Sequence, residues 1–149
     1  MPPKPPMPHP RPAPSLAADY AATTYRVLLP QGALDLRVGA LTPGGLGPFP
    51  WMVITACNPG SLKLSEEENH VRQEALAARL HALELPFVAA ENLADAGDWP
   101  VERGFWVSSP RLDRPLALAL GREFGQVAVL WGQAGEVAQL LWSEGEPQV

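Results

Sequence analysis

The stretch WMVITACNPGSLKLSEEENHVRQEALAARL, residues 51–80, decides the fold because it contains a strand, a tight loop and a long helix in succession. Its first six residues are apolar except for Thr55, and the turn signal Asn-Pro-Gly follows after Cys57, a pattern typical of a strand buried on both faces. Ser65 and Glu68 have the spacing of a capping box, in which each side chain accepts a backbone amide of the other. We therefore expect a central strand, then a helix from Ser65 to about Leu83.

The predicted helix turns two unusual polar side chains inward. Leu76, Leu80 and Leu83 fall on one face at 100° per residue, and Asn69 and Arg72 lie on the same face one to two turns earlier. Burying an unpaired amide or guanidinium is costly because the group loses its hydration. Each of these two side chains therefore needs a partner inside the protein.

Two interpretations of this pair stay open. In the structural one, Arg72 pairs with Glu68 one turn back, and Asn69 braces the carbonyls of the loop at Asn58 and Pro59. In the functional one, Asn58, Asn69 and Arg72 line a pocket at the carboxyl end of the apolar strand, where open sheets place ligand sites. The two are compatible, since a braced loop can also be a pocket wall.

The rest of the chain alternates strand and helix signals. YRVLL with ALDLRV, and QVAVLW with EVAQLLW, are predicted hairpins. A short helix from Ser15 to about Ala22 precedes the first hairpin. PFVAAE and GFWVSS are further strands, separated by a predicted polar loop over residues 92–103, and residues 113–124 form the second main helix. This order predicts an α+β, single-domain sandwich in which two main helices pack against one mixed β-sheet.

The first fourteen residues differ in composition from the rest. Residues 1–14 hold eight of the eighteen prolines, and such a stretch lacks amide donors for helix or sheet. We expect a disordered proline-rich tail over residues 1–14 and one domain over residues 15–149. The tail contains Pro-x-x-Pro spacings, which SH3-type grooves bind, but at this proline density they are inevitable.

Charge and composition exclude several classes of protein. The formal net charge is −5, and outside the tail 9 basic residues face 16 acidic ones, so we expect no nucleic-acid partner. Apolar runs are too short to span a bilayer, so we expect no membrane partner. One cysteine and no apolar signal segment favour a cytoplasmic protein. Three scattered histidines predict no metal site, and no glycine-rich motif predicts a cofactor.

Four segments together resemble a known family: VITACNP, LSEEENHVRQEAL, GFWV and LGREFGQVAVLW are similar to the DUF3293 family, small bacterial proteins of unassigned function. The resemblance covers about Trp51 to Leu141. It implies one domain and directs attention to six positions: Asn58, Pro59, Asn69, Arg72, Gly104 and Gln126. The family more often has an aromatic residue at position 57, which implies that Cys57 is a packing residue, and often an acid at position 103.

The candidate site combines these residues with two polar residues at strand entrances, Glu102 and Gln126. The set is Asn58, Asn69, Arg72, Glu102 and Gln126. We expect a non-catalytic binding module for a small polar ligand or a protein partner. The alternative is a small enzyme that uses Glu102 as acid or base and Arg72 to hold an anionic substrate group.

Overall fold

The structure, a computed structural model, describes residues 14–145 and contains one sheet and three helices. The predicted tail therefore lies outside the described residues except for Pro14, which begins the first helix. In chain order the elements are α1 Pro14–Ala21, β1 Thr23–Leu29, β2 Gly32–Leu36, β3 Trp51–Ile54, α2 Glu66–Ala82, β4 Phe87–Ala94, β5 Glu102–Ser108, α3 Arg114–Glu123, β6 Ala128–Gly132 and β7 Gln139–Trp142.

The seven strands form a single sheet in the order β2-β1-β4-β5-β3-β6-β7. The two predicted hairpins are present as β1-β2 and β6-β7. The apolar strand β3 lies inside the sheet between β5 and β6, and all four of its residues are buried. The α+β class is thus confirmed.

The prediction of a mixed sheet is wrong, because every strand pairing is antiparallel. The reason lies in the two helical connections. The link through α2 carries the chain from β3 to β4, but β5 lies between these two strands. The link through α3 carries it from β5 to β6, with β3 between them. Each helix therefore joins two parallel strands that are not neighbours, and the strand between them runs the opposite way.

The sheet is curled, and its two ends are joined by backbone hydrogen bonds. The Gly39 amide donates to the Ala138 carbonyl at 2.8 Å, and the Ala138 amide donates to the Ala40 carbonyl at 2.8 Å. The Thr42 amide also donates to the Glu136 carbonyl at 3.0 Å. These bonds connect the segment after β2 with the segment before β7, so the sheet wraps around one of its own faces.

Two apolar cores lie on opposite faces of this sheet. The first is built by α2 and α3 against β3, β5 and β6, and its centre includes Leu76, Leu80 and Trp131. The second lies on the face that the sheet encloses, and it includes Tyr25 and Trp51 with Tyr20 of α1 packed against it. The candidate site lies where this second core ends.

Most predicted helix limits are confirmed. Ser65 is the N-cap of α2 and forms the predicted capping box with Glu68. Asp113 caps α3, and Gly125 follows this helix with a φ of 69°, a conformation that favours glycine. The loop predicted over residues 92–103 is too long, because β4 continues to Ala94. No helix among residues 14–145 combines the length and the apolar character needed to cross a bilayer.

Candidate ligand site

Asn58 is the centre of a hydrogen-bonded network at the end of β3. Its backbone is left-handed, with φ 48° and ψ 61°, a conformation that asparagine tolerates better than most residues. Its amide donates to Asn69 Oδ1 at 2.9 Å, and Asn69 Nδ2 donates back to Asn58 Oδ1 at 2.9 Å. The Leu64 amide donates to the same Asn58 oxygen at 2.8 Å. Asn69 thus braces Asn58 itself, rather than the loop carbonyls that we predicted.

The same asparagine reaches the first residue of β5. Asn58 Nδ2 donates to Glu102 Oε2 at 2.6 Å. Asn58 is 5% exposed, so this bond holds Glu102 against the buried end of the loop. Burial raises the pKa of Glu102, and hydrogen bonds from Asn58 and Trp99 offset part of that rise. Asn58, Asn69 and Glu102, three of the five predicted residues, are therefore neighbours in the structure.

The guanidinium of Arg72 donates hydrogen bonds to two backbone carbonyls. Its Nε donates to the Ala56 carbonyl at 2.6 Å, and its Nη2 donates to the Phe124 carbonyl at 2.5 Å. The predicted pairing of Arg72 with Glu68 is absent from the described ion pairs, because Glu68 closes the capping box instead. Arg72 therefore joins the loop after β3 to the end of α3.

Gln126 makes a second connection between the same two segments. Its Nε2 donates to the Cys57 carbonyl at 3.1 Å and to the Phe124 carbonyl at 3.2 Å. The Gly60 amide adds a bond to the Gly125 carbonyl at 2.8 Å. These contacts hold the Asn58 loop rigidly over the sheet, so its side chains are fixed in position.

A cavity of about 450 Å³ opens beside this network, between α1, the sheet and the loop from β4 to β5. We call it the tyrosine cavity. Three of the five predicted site residues line it, namely Asn58, Glu102 and Gln126. The other lining residues are Leu16, Asp19, Tyr20, Ala22, Thr23, Tyr25, Ser61, Asn92, Ala94, Ala96, Gly97, Asp98, Trp99 and Val127.

One wall of the tyrosine cavity is a row of polar residues across three neighbouring strands. Tyr25 of β1 is the register partner of Asn92 of β4, and Asn92 is the partner of Glu102 of β5. Directly opposite residues in a sheet share a face, so all three side chains lie on the enclosed side. The curled sheet therefore presents a phenol, an amide and a carboxyl group to one space.

Two atoms of this row are buried without a hydrogen-bond partner among the described residues. They are the Tyr25 hydroxyl and Asn92 Oδ1. Tyr25 is only 3% exposed, so bulk water does not compensate its hydroxyl. Three tryptophan indoles also lack a partner, but these residues do not line the cavity: Trp51, Trp106 and Trp131. Two hydrogen-bonding groups of this polar row therefore lack a partner among the described residues.

Both tyrosines of the cavity have a raised pKa. Burial, and next the negative charge of Glu102, raise the pKa of Tyr20 to about 12. Burial raises the pKa of Tyr25 as well, followed by the effects of Tyr20 and Glu102. Each phenol is therefore a neutral hydrogen-bonding group at physiological pH, and both lie close enough to Glu102 to sense its charge.

A second cavity of about 680 Å³ lies on the other side of the Asn58–Glu102 pair, next to α2. Asn69 lines this cavity and not the tyrosine cavity, and Arg72 lines neither. The wall of the second cavity mixes Lys63, Glu66 and Glu74 with apolar residues. The structure thus brings four of the five predicted residues to a cavity wall, whereas Arg72 is used within the protein.

Cys57 and metal ligands contribute little to this site. The Cys57 thiol is buried 3.5 Å from the Arg103 carbonyl, and burial raises its pKa, which disfavours the reactive thiolate. Within residues 14–145 no three histidine, cysteine or acidic side chains are grouped so that they could hold a metal ion.

Four residues of the tyrosine cavity were not predicted from the sequence: Tyr20, Tyr25, Asn92 and Trp99. A signal was present for two of them. Tyr25 alternates with Val27 on the enclosed face of β1, and Asn92 stands two residues after the buried Ala90 of β4. An asparagine at an inward strand position is an unusual choice that indicates a site.

Comparison with known proteins places the chain in a family. A family model described as a protein of unknown function, DUF3293, matches residues 54–129, about half of the chain. No curated protein and no solved structure matches it. The matched segment contains all five predicted site residues, whereas Tyr20 and Tyr25 precede it. It also contains the loop, helix α2 and strand β5 that build the network around Asn58. The chain therefore belongs to the DUF3293 family.

Proposed function

We propose that this protein is a non-catalytic binding module that holds a small polar ligand in the tyrosine cavity. The observation that carries the proposal is the pair of buried, unpartnered atoms in the polar row, the Tyr25 hydroxyl and Asn92 Oδ1. A buried polar atom without a partner costs about 1–3 kcal/mol, so such atoms are rare unless a ligand or water completes them. Tyr25 and Asn92 both line the cavity, which favours a ligand as the missing partner.

The size and rigidity of the cavity agree with this function. Its volume of about 450 Å³ lies within the range of about 300–1,000 Å³ that is common for small-molecule sites. The loop that carries Asn58 is fixed by Arg72, Gln126 and Gly60 through hydrogen bonds to neighbouring backbone. A fixed wall lowers the entropic cost of binding.

The alternative, a small enzyme with Glu102 as acid or base, has weaker support. It requires Arg72 to hold an anionic substrate group, but this guanidinium donates to two backbone carbonyls and lines neither cavity. The raised pKa of Glu102 is compatible with proton transfer, yet none of the described residues that line the tyrosine cavity is a histidine, lysine or cysteine. Binding without chemistry needs none of these groups.

The test is a screen of small polar molecules against the ¹⁵N-labelled full chain by two-dimensional NMR. The library contains cationic, neutral and anionic compounds in equal numbers. We expect at least one class to shift the backbone amides of Asn58, Asn92 and Glu102 together with the Trp99 indole. A complete library without shifts at these four groups, or with shifts only at other surfaces, would refute the proposal.

A pair of variants shows whether the hits occupy the polar row. Tyr25→Phe removes only the unpartnered hydroxyl, so it should weaken the binding of every hit that uses the row. Glu136→Gln is the control, because Glu136 is an exposed acid outside both cavities. Equal affinities of the parent and the Tyr25→Phe protein would place the hits elsewhere.

A further inference from the structure

We propose that the ligand of the tyrosine cavity is a small organic cation with N–H donors, such as a primary ammonium group. This inference rests on the proposed function above and adds the chemical class of the ligand. It follows from three properties of the wall: its charge, its hydrogen-bonding groups and its aromatic rings.

The charge of the wall is of one sign. Three acidic side chains line the cavity, Asp19, Asp98 and Glu102, and none of the described lining residues is basic. Glu102 is the partly buried member of the three, and the other two are exposed. An anionic ligand would be repelled by this wall, and a cation would be attracted to it.

The polar row offers acceptors in excess of donors. Glu102 receives a bond from Asn58 at 2.6 Å, and a carboxylate has about four acceptor sites, so further capacity remains. Asn92 Oδ1 is an acceptor without a partner, and the Tyr25 oxygen can also accept. An ammonium group carries three N–H donors and a positive charge, whereas water could complete the hydrogen bonds but would leave the charge of Glu102 uncompensated.

Aromatic rings add a further preference. Tyr20, Tyr25 and Trp99 all line the cavity, and the face of an aromatic ring attracts a cation within about 6 Å of its centre. Trp99 is 43% exposed on the loop from β4 to β5, where its ring remains accessible to a ligand. An acid beside several rings is the combination that recognises organic cations.

The free site also carries an unfavourable charge that a cation would offset. Burial makes the ionised form of Glu102 costly, and Asn58 and Trp99 offset only part of that cost. A cation bound next to Glu102 favours the ionised form. A charged amine should therefore bind to the polar row with a more favourable free energy than a neutral ligand of equal shape.

The experiment compares three probes of matched shape and different charge: benzylamine, benzyl alcohol and benzoate. Each is titrated near neutral pH into the ¹⁵N-labelled full chain, and the shifts of the Asn92 and Glu102 amides and the Trp99 indole give the affinity. We expect benzylamine to bind about tenfold more tightly than benzyl alcohol, which corresponds to about 1.4 kcal/mol of binding free energy. Benzoate should bind least.

Glu102→Gln keeps the acceptor for Asn58 but removes the charge, so it should bring the affinity for benzylamine down to that for benzyl alcohol. The control Glu136→Gln should change neither. Tighter binding of benzoate or benzyl alcohol, or a preference for benzylamine that persists in Glu102→Gln, would refute the proposal of a cationic ligand. If all three probes fail while the wider screen finds only neutral or anionic compounds that bind in this cavity, the cation is refuted and the binding function stands; cationic hits there that weaken in Glu102→Gln would support the cation.

Discussion

Replacing Tyr25 by phenylalanine should make the protein more stable. Its hydroxyl is buried, and no described residue bonds to it. An unsatisfied buried group costs about 1–3 kcal/mol, so removing it should recover part of that amount. The ring stays in place, and Tyr25 lies beside an existing cavity. We therefore expect the free energy of unfolding to rise by about 1 kcal/mol.

The assay is urea unfolding of the parent and of Tyr25→Phe, compared at equal slope. The sign decides the matter, because a hydroxyl with a good partner would contribute about 0.5–1.5 kcal/mol and its removal would lower the midpoint. Tyr20→Phe is the matched control, since Tyr20 lines the same cavity but its hydroxyl is not among the unpartnered atoms; it should give no gain. A lower midpoint for Tyr25→Phe would show that the row is complete without a ligand.

Three further changes test the network around the cavity. Arg72→Ala should lower stability by about 2 to 4 kcal/mol in urea unfolding, because it removes two hydrogen bonds from a charged donor and leaves the Ala56 carbonyl unpaired, while the Phe124 carbonyl keeps only its bond from Gln126; an unchanged midpoint would contradict the bracing role. Glu102 has a raised pKa in the folded state, so the stability due to its protonated form is complete below about pH 4.3 and is lost as pH rises through the folded value. The stability of Glu102→Gln should therefore equal that of the parent in acid and exceed it near neutral pH. Thermal melts at several pH values test this, and a difference in stability that does not change with pH would argue against it. Cys57→Ala should cost about 1 to 2 kcal/mol, and the native thiol should react slowly with iodoacetamide, whereas rapid labelling would show an exposed thiolate.

Local signals predicted the parts of this protein that local forces determine. The capping box of Ser65 and Glu68 depends on four consecutive residues, and the structure contains it. The helical period correctly predicted that the side chains of Asn69 and Arg72 face the interior. Asn69 bonds to the predicted loop at Asn58, but the partners of Arg72 were not predictable, because it bonds to Phe124, which the fold brings near from the other helix.

The polar row was missed for a related reason. Asn92 and its neighbours read as a loop, since asparagine and aspartate favour turns. Pairing with β1 nevertheless extends β4 to Ala94, and pairing with β5 extends as far as Asn92. Tertiary pairing overrides local preference here, and the side chain of Asn92 lines the tyrosine cavity as a result.

The position of β3 has a consequence for the order in which the chain acquires its structure. Trp51–Ile54 pairs only with β5 and β6, and both are synthesised after α2 and β4. Strand β3, the most apolar of the sheet, therefore has no hydrogen-bonded neighbour until most of the domain has been synthesised. Such non-local pairing slows folding and exposes the strand to association with other chains. Ribosome-bound chains that end before β5 should accordingly be held by chaperones, and the tyrosine cavity should not form until β5 has been made, because Glu102 and Gln126 line it.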